Sequence, residues 1–329
     1  MHHTDESFAT MLLMSQITPS REELARPLST SEWHQLRQRT REARMSMGQL
    51  VTLDMSGFMM KLDMTEQEAY RLCLLLGRAL PLSMCLEQFS MSGIDVITFG
   101  DPQYPARLRD RLADKAPPML YMAGRPELLR HNAIAILGSL SARGEAEGEV
   151  RALARLAASE GYTIVTDGTT GLSRIAQDEA VAAGGHVVEV TAGGLSARVE
   201  QPDLCGMLAM RKGTAISVVH PDALQTSSHA LARNKLVYAL SDAAFVFAAE
   251  KGRGTTYEGV VEALRKRWVN AIYVWDTPLY EGNRTLIAKG GIPFTHLTQA
   301  GFAQLVSSWR SATAEQLCMF DRVDPLGNH

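Results

Sequence analysis

The chain has few cysteines, few aromatic residues and no excess of one charge. Its four cysteines, Cys73, Cys85, Cys205 and Cys318, lie far apart and form no CxxC pair. The nine histidines give neither HxxxH nor HExxH. A disulfide framework and a structural zinc site are not expected, and a reducing, cytoplasmic compartment is. A net charge of −3 rules out a global pull toward nucleic acid, so any such binding must use a local patch. Aromatic residues make up 6% of the chain, and no row of stacking rings stands out. The apolar run 8–17 is short, follows Asp5 and Glu6, and lacks a cleavage-site pattern. It reads as neither a signal peptide nor a membrane span.

What is present is the composition of an ordinary globular protein, 46% hydrophobic and 21% charged. The length suits one large domain and a smaller one, at roughly 100–200 residues per domain. Residues 1–60 read as a helical extension. Ser29-x-x-Glu32 fits a capping box, and His34, Arg37, Arg41 and Arg44 follow on one helical face. Glu32 and Glu42 dilute that charge, so a solvated face is expected; a stripe for phosphates or an acidic partner is the other reading. Residues 61–113 read as a small helical domain. Thr65-x-x-Glu68 is a second capping box, and Ala69, Leu72, Cys73 and Leu76 keep helical spacing, which places Cys73 and Cys85 in a core.

Over residues 114–300 the pattern changes to alternating strands and helices. The runs AIAIL (133–137), YTIVT (162–166), HVVEVT (186–191), AISVVH (215–220), AAFVFAA (243–249) and AIYVWD (271–276) are apolar on both faces. Such strands belong in a parallel sheet covered by helices on both sides. The expected fold class is α/β: a doubly wound, Rossmann-like, mostly parallel sheet preceded by a small helical domain. Residues 301–329 form a tail.

Ligands of such sheets bind at the carboxyl ends of the strands, and three glycine turns fall there. The first follows AIAIL and holds Gly138, Ser139 and Arg143. The second follows YTIVT and holds Gly168, Thr169 and Thr170. The third follows AAFVFAA and holds Lys251, Gly252, Arg253, Gly254 and Thr255. Backbone N–H groups at strand-to-helix turns lack intrahelical partners, and glycine lets a phosphate approach them. GxGxxG and GxxxxGK[ST] are absent, which argues against ordinary NAD binding and against a P-loop ATPase. Thr255-x-x-Glu258 fits a helix cap as well as a ligand site. Arg233-Asn234-Lys235, just before LVYAL, places two cations at what reads as a helix N-terminus, where acids are favoured; an anion is the natural complement. Asp178, Glu179, Asp203 and Glu250 form no paired-carboxylate constellation, and no nucleophile–base pair is evident.

Four segments, YPARLRDRLADKAPPMLYMAG, AILGS, DGTTGLSRIAQDEAVAAGG and ARNKLVYALSD, resemble the DprA/Smf DNA-processing proteins over about residues 62–297. That resemblance implies a Rossmann-like domain behind a small helical one, single-stranded DNA as ligand, a recombinase as partner, a homodimer, and neither cofactor nor catalysis. The family's Gly-Ser-Arg is Gly138-Ser139-Leu140 here, with Arg143 as the substitute. Its SGxAxGID loop becomes residues 167–173, where Ser173 replaces the Asp, and Gln177 replaces a following His. Arg233-Asn234 is retained. The segment Gly252-Arg253-Gly254-Thr255 is closer to the GGxGTxxE motif of the related LOG phosphoribohydrolases in the wider SLOG superfamily. A nucleotide sensor or hydrolase with Glu258 as ribose ligand or acid/base is therefore the second reading. The short stretch after the sheet leaves no room for a winged helix. In the tail, Gln316-Leu317-Cys318-Met319-Phe320 resembles the QLxLF peptide that docks into the replication sliding clamp, with Leu317, Met319 and Phe320 as apolar anchors and Gln316 as hydrogen-bonding residue. For a DNA-binding site, Arg233 and Lys235 would hold phosphates near Arg143, Lys251 and Arg253, and Tyr238 and Tyr257 are the nearby rings for bases.

Overall fold

The structure is a computed structural model and describes residues 3–17, 25–139, 142–252 and 255–309. Its strands are β1 (Ile94–Thr98), β2 (Met119–Gly124), β3 (Ala133–Gly138), β4 (Thr163–Thr166), β5 (Val187–Val190), β6 (Gly213–Ser217), β7 (Ala243–Ala248), β8 (Ala271–Trp275) and β9 (Ile292–Phe294). They form a nine-stranded sheet in the order β1-β2-β6-β5-β4-β3-β7-β8-β9. All six apolar runs contribute strands to it, although the run 215–220 does so only as far as Ser217, in a strand that starts at Gly213. By internal contacts the chain groups into two units, Met1–Arg130 with Glu189–Arg233, and His131–Val188 with Asn234–His329.

In the second unit, β4, β3, β7, β8 and β9 are neighbours and run parallel. Every residue of β4 and β7 is buried, as runs apolar on both faces require. The helices that alternate with them, Glu145–Ser159, Leu172–Ala182, Thr256–Lys266 and Glu281–Ala288, each turn one apolar stripe inward. The first buries Ala146, Val150, Leu153, Ala154 and Ala157 at helical spacing. Residues 299–309 are helical, and Phe302 and Trp309 pack edge-on against Tyr162, while Trp309 Nε1 donates to Tyr273 Oη at 3.0 Å.

In the first unit, β1 pairs antiparallel with β2, and β2 antiparallel with β6. Little in the sequence marks β1, β2 or β9. β2 (MLYMAG) is rich in Met and Leu, which favour helix, and β9 has three residues, one of them Pro293. The two capping boxes form: Ser29 with Glu32, and Thr65 with Glu68. The basic stripe is only partly solvated. The helix Thr30–Glu42 ends before Arg44, which takes a left-handed backbone (φ 55°). His34 Nε2 lies 2.9 Å from Ala116 O, and Arg37 stacks on Phe99. Cys73 and Cys85, expected in a core, are only half-buried, at the edges of their helices' apolar faces. Among the described residues no single helix is long and apolar enough to cross a membrane.

Candidate functional site

The three glycine turns lie side by side. They end β4, β3 and β7, three adjacent parallel strands of the second unit. Ser139 N donates to Ala248 O at 2.8 Å, tying the first turn to the end of β7. A Cβ on Gly138 would stand 2.4 Å from Leu172 Cδ1, so a side chain there would have to displace buried Leu172 in the helix after the second turn.

Helix starts differ along the chain: in the first unit Ala79–Met91, Ala106–Leu112 and Pro202–Ala209 carry no side-chain capping bond, and four others do. Asp5–Met14, Thr30–Glu42, Met55–Leu62 and Glu66–Leu76 are each capped by a Thr, Ser or Asp side chain. Glu145–Ser159, Leu172–Ala182 and Thr256–Lys266 start at Gly144, Gly171 and Thr255 with no side-chain capping bond. The capping box at Thr255-x-x-Glu258 therefore does not form: Thr255 has a helical rather than extended backbone (φ −105°, ψ −1°), and Glu258 is exposed. Three helix starts at one sheet edge keep their first-turn N–H groups clear of side-chain caps, and each carries the positive end of a helix dipole.

The turns are not equivalent. In the second, Asp167 Oδ1 accepts from Thr169 N (3.1 Å), Thr169 Oγ1 (2.7 Å) and Ser173 Oγ (2.7 Å). Gln177 Nε2 donates to Thr166 Oγ1 at 2.6 Å beneath it. This turn supplies its own anion, held at a helix N-terminus where negative charge is stabilised. Gly168 takes φ 66°, and Thr170 is exposed. The first and third turns present exposed cations instead. Arg143 is 65% exposed, donates to Ala142 O, and stands 4.0 Å from Glu147. Lys251 and Gly252 are exposed; Gly252 has φ 75° and open space around it. Arg253 and Gly254 lie outside the described residues, as do Gln316, Leu317, Met319 and Phe320.

The Arg-Asn-Lys triplet is not at a helix start. Its helix runs Ser227–Leu240 and begins one turn and more earlier, where Thr226 Oγ1 accepts from His229 N. The hydroxyl at 226 ends the preceding loop before the apolar periodicity becomes visible. Arg233 and Asn234 are buried at 3% and 5% exposure, and Lys235 is half-buried. Asn234 Nδ2 donates to Thr255 O at 3.0 Å, and a Cβ on Gly259 would meet that Nδ2 at 2.8 Å. The asparagine thus fixes the start of the helix after the third turn. Tyr238 and Tyr257 are buried at 1% and 7%, so neither offers a ring face to a base.

Sequence reasoning missed Asn283. It is fully buried; its Oδ1 accepts from Ala249 N (2.9 Å), and its Nδ2 donates to Phe247 O (3.1 Å) and Trp275 O (2.9 Å). It locks the ends of β7 and β8 below the third turn. The available signal was Gly282, whose Cβ would meet Ala249 O at 2.0 Å. The acids outside the turns are ion-pair partners: Glu179 takes Arg151 and Arg155, while Glu189 and Asp203 grip Arg198. Among the described residues, no three His, Cys, Asp or Glu side chains gather as a metal site.

Comparison with known proteins agrees with this architecture. No curated protein sequence matches the chain. DNA processing protein A of Streptococcus pneumoniae shares 18% identity at a TM-score of 0.58, covering 85% of this chain and 98% of that one. DNA processing protein A of Helicobacter pylori, described for its single-stranded DNA binding mode, shares 23% identity at a TM-score of 0.55, covering 66% and 98%. The model of the family described as DNA recombination-mediator protein A matches residues 95–301, from β1 through β9. With more than half its length matched, and with a sheet whose glycine turns line one edge, the chain belongs to the DNA recombination-mediator protein A family of DNA-processing proteins.

Proposed function

We propose that this protein binds single-stranded DNA by its phosphates at the first and third turns. The observation that carries this reading is the row of helix N-termini, without side-chain caps, at the ends of β4, β3 and β7. Backbone N–H groups of Gly252 and the first turn of Thr256–Lys266 supply donors, and exposed Arg143 and Lys251 supply charge. Gly138, Gly168, Thr169 and Thr170 shape the cradle, with Arg253, Gly254 and Thr255 completing the third turn. Asn234 acts from below by holding that turn in place through Thr255 O, buried Arg233 precedes it on the same helix, and Lys235 adds charge at the margin. Because Tyr238 and Tyr257 are buried, binding rests on phosphates more than on stacked bases, and it is insensitive to sequence. Such a protein would hand its strand to a recombinase and work as a homodimer, and the tail peptide around Leu317 would bind the sliding clamp.

The test is fluorescence anisotropy with a labelled single-stranded oligonucleotide over a salt series. Lys251→Glu combined with Arg143→Glu is expected to weaken binding about tenfold or more at low salt. It should also flatten the salt slope by about 0.7 for each phosphate that is no longer neutralised. Binding that is unchanged in this variant overturns the reading. Arg233→Ala is a poorer probe, since removing a buried guanidinium disturbs packing first.

The exposed Glu258, not engaged in a cap, favours a second reading, a nucleotide pocket at the third turn. In that case mononucleotides or ADP-ribose displace the oligonucleotide or raise Tm, and Glu258→Gln abolishes hydrolysis while leaving binding intact.

A further inference from the structure

The basic stripe of the helix Thr30–Glu42 has no role in the turns, yet within the first unit it meets a third arginine. Arg37 Cζ stands 4.7 Å from the centroid of the Phe99 ring. Arg109 Cζ, from the helix Ala106–Leu112, stands 4.9 Å from the same centroid. The two guanidiniums are thus about 10 Å apart or less, roughly one Debye length at physiological salt, and each feels the other's charge. Arg41 follows one turn beyond Arg37 on the same helix and is exposed. Burial first, and then the charges of Arg41 and Arg109, hold Arg37 below the ordinary arginine pKa, with Glu6 working the other way.

The neighbouring arginines behave differently. Arg26 and Arg71 pair with Glu32, and Arg39 pairs with Glu68. Among the described residues Arg37, Arg41 and Arg109 make no ion pair, and Glu6, whose charge Arg37 feels, stays beyond ion-pair reach. Arg109 spends one N–H on Phe99 O at 2.7 Å, and its Nε is buried without a partner. A guanidinium stacked on a ring keeps its N–H edges for oxygen acceptors, and those edges match phosphate in a bidentate fork. Placing two like charges on one ring, with Arg41 one turn beyond, is unfavourable unless an anion completes the cluster. A merely solubilising face would intersperse acids, as Glu32 does beside Arg26 and Arg71 and Glu68 does beside Arg39.

We infer that Arg37, Arg41 and Arg109 form a second phosphate-binding patch, for the backbone of a single-stranded nucleic acid, on the first unit. The choice of nucleic acid over an acidic protein rests on the proposed single-strand binding of this family member; the patch itself rests on the Phe99 geometry.

The test adds two variants of the full chain to the anisotropy salt series. Arg41→Gln alters an exposed side chain outside any ion pair and should lower the slope of log affinity against log salt by about 0.7. Arg37→Gln with Arg41→Gln should lower it by about 1.4, one single-strand phosphate for each residue. Thermal unfolding of both variants checks the fold, and the single variant keeps the test valid if the double one melts early. If both slopes match the parent while Lys251→Glu with Arg143→Glu weakens binding, the patch is overturned and the turns stand. If the slopes fall while the turn variant is neutral, the patch stands and the turn reading fails. If an oligoglutamate peptide binds the parent and loses affinity in these variants, with the oligonucleotide unaffected, the patch serves an acidic protein and the inference is overturned.

Discussion

At the scale of single residues, the site is set by which groups already hold an anion. Asp167 satisfies a backbone N–H and two hydroxyls of the second turn, so that turn works with a charge that repels phosphate. Asp167→Asn keeps the accepting oxygen and removes the charge. The expected outcome is a several-fold rise in oligonucleotide affinity at low salt with little change in Tm, read by anisotropy and thermal unfolding. A loss of affinity would mean that the carboxylate shapes the cradle more than it repels the ligand. Asn234 and Asn283 act beneath the third turn, each through amide bonds to backbone that leave no trace in hydrophobic periodicity. Sequence alone marked Arg233-Asn234 by family pattern and misplaced the pair at a helix start. Local spacing cannot show that a side chain reaches twenty residues ahead, as Asn234 does to Thr255.

At the scale of elements, what was legible followed from short-range rules. The capping boxes at Ser29 and Thr65 form because donor and acceptor lie three residues apart. The same spelling at Thr255 fails, because Thr255 itself takes a helical rather than extended backbone. The helices Thr30–Glu42 and Glu66–Leu76 are also joined by charge. Arg71 Nη1 contacts Glu32 Oε1 at 2.7 Å, and the same guanidinium donates to Arg26 O and Pro27 O at 2.9 Å. The Arg71 hydrogen bond, helped by Ser29 and opposed by burial, holds the Glu32 carboxyl at about 2, against an ordinary 4.5. A carboxylate depressed in the folded state contributes stability that is complete above its unfolded pKa and is lost as pH falls through the folded one. Chemical denaturation between pH 4.5 and 2 should therefore show stability falling with pH, and Arg71→Met should flatten that part of the profile. Both side chains are about a third exposed, so the effect should shrink in high salt. An unchanged slope would mean that the pair contributes no pH-dependent stability.

At the scale of the whole molecule, the six apolar runs made the α/β class legible, because a strand covered on both faces has a composition no amphipathic helix shares. The sheet's antiparallel margin was not legible. β1 and β2 sit among helical signals, and each pairs with a strand distant in sequence or across a helix. This bears on where the chain can be cut. Composition places a boundary at 113/114, but the five-residue register from Ile94↔Ala123 to Thr98↔Met119 joins strands on either side of it. β2 in turn pairs with β6, more than eighty residues downstream, from Tyr121↔Ser217 to Gly124↔Thr214. A fragment of residues 1–113 would present β1 with its β2-facing N–H and C=O groups unpaired, and 1–130 would do the same for β2. Exposed strand edges of this kind template aggregation. Both fragments should therefore be poorly soluble or lack a cooperative thermal transition, while residues 1–309 should unfold cooperatively. A cooperative, monomeric 1–113 fragment would show instead that the N-terminal helices form a domain without help from the sheet, and that β1 is an accessory to it.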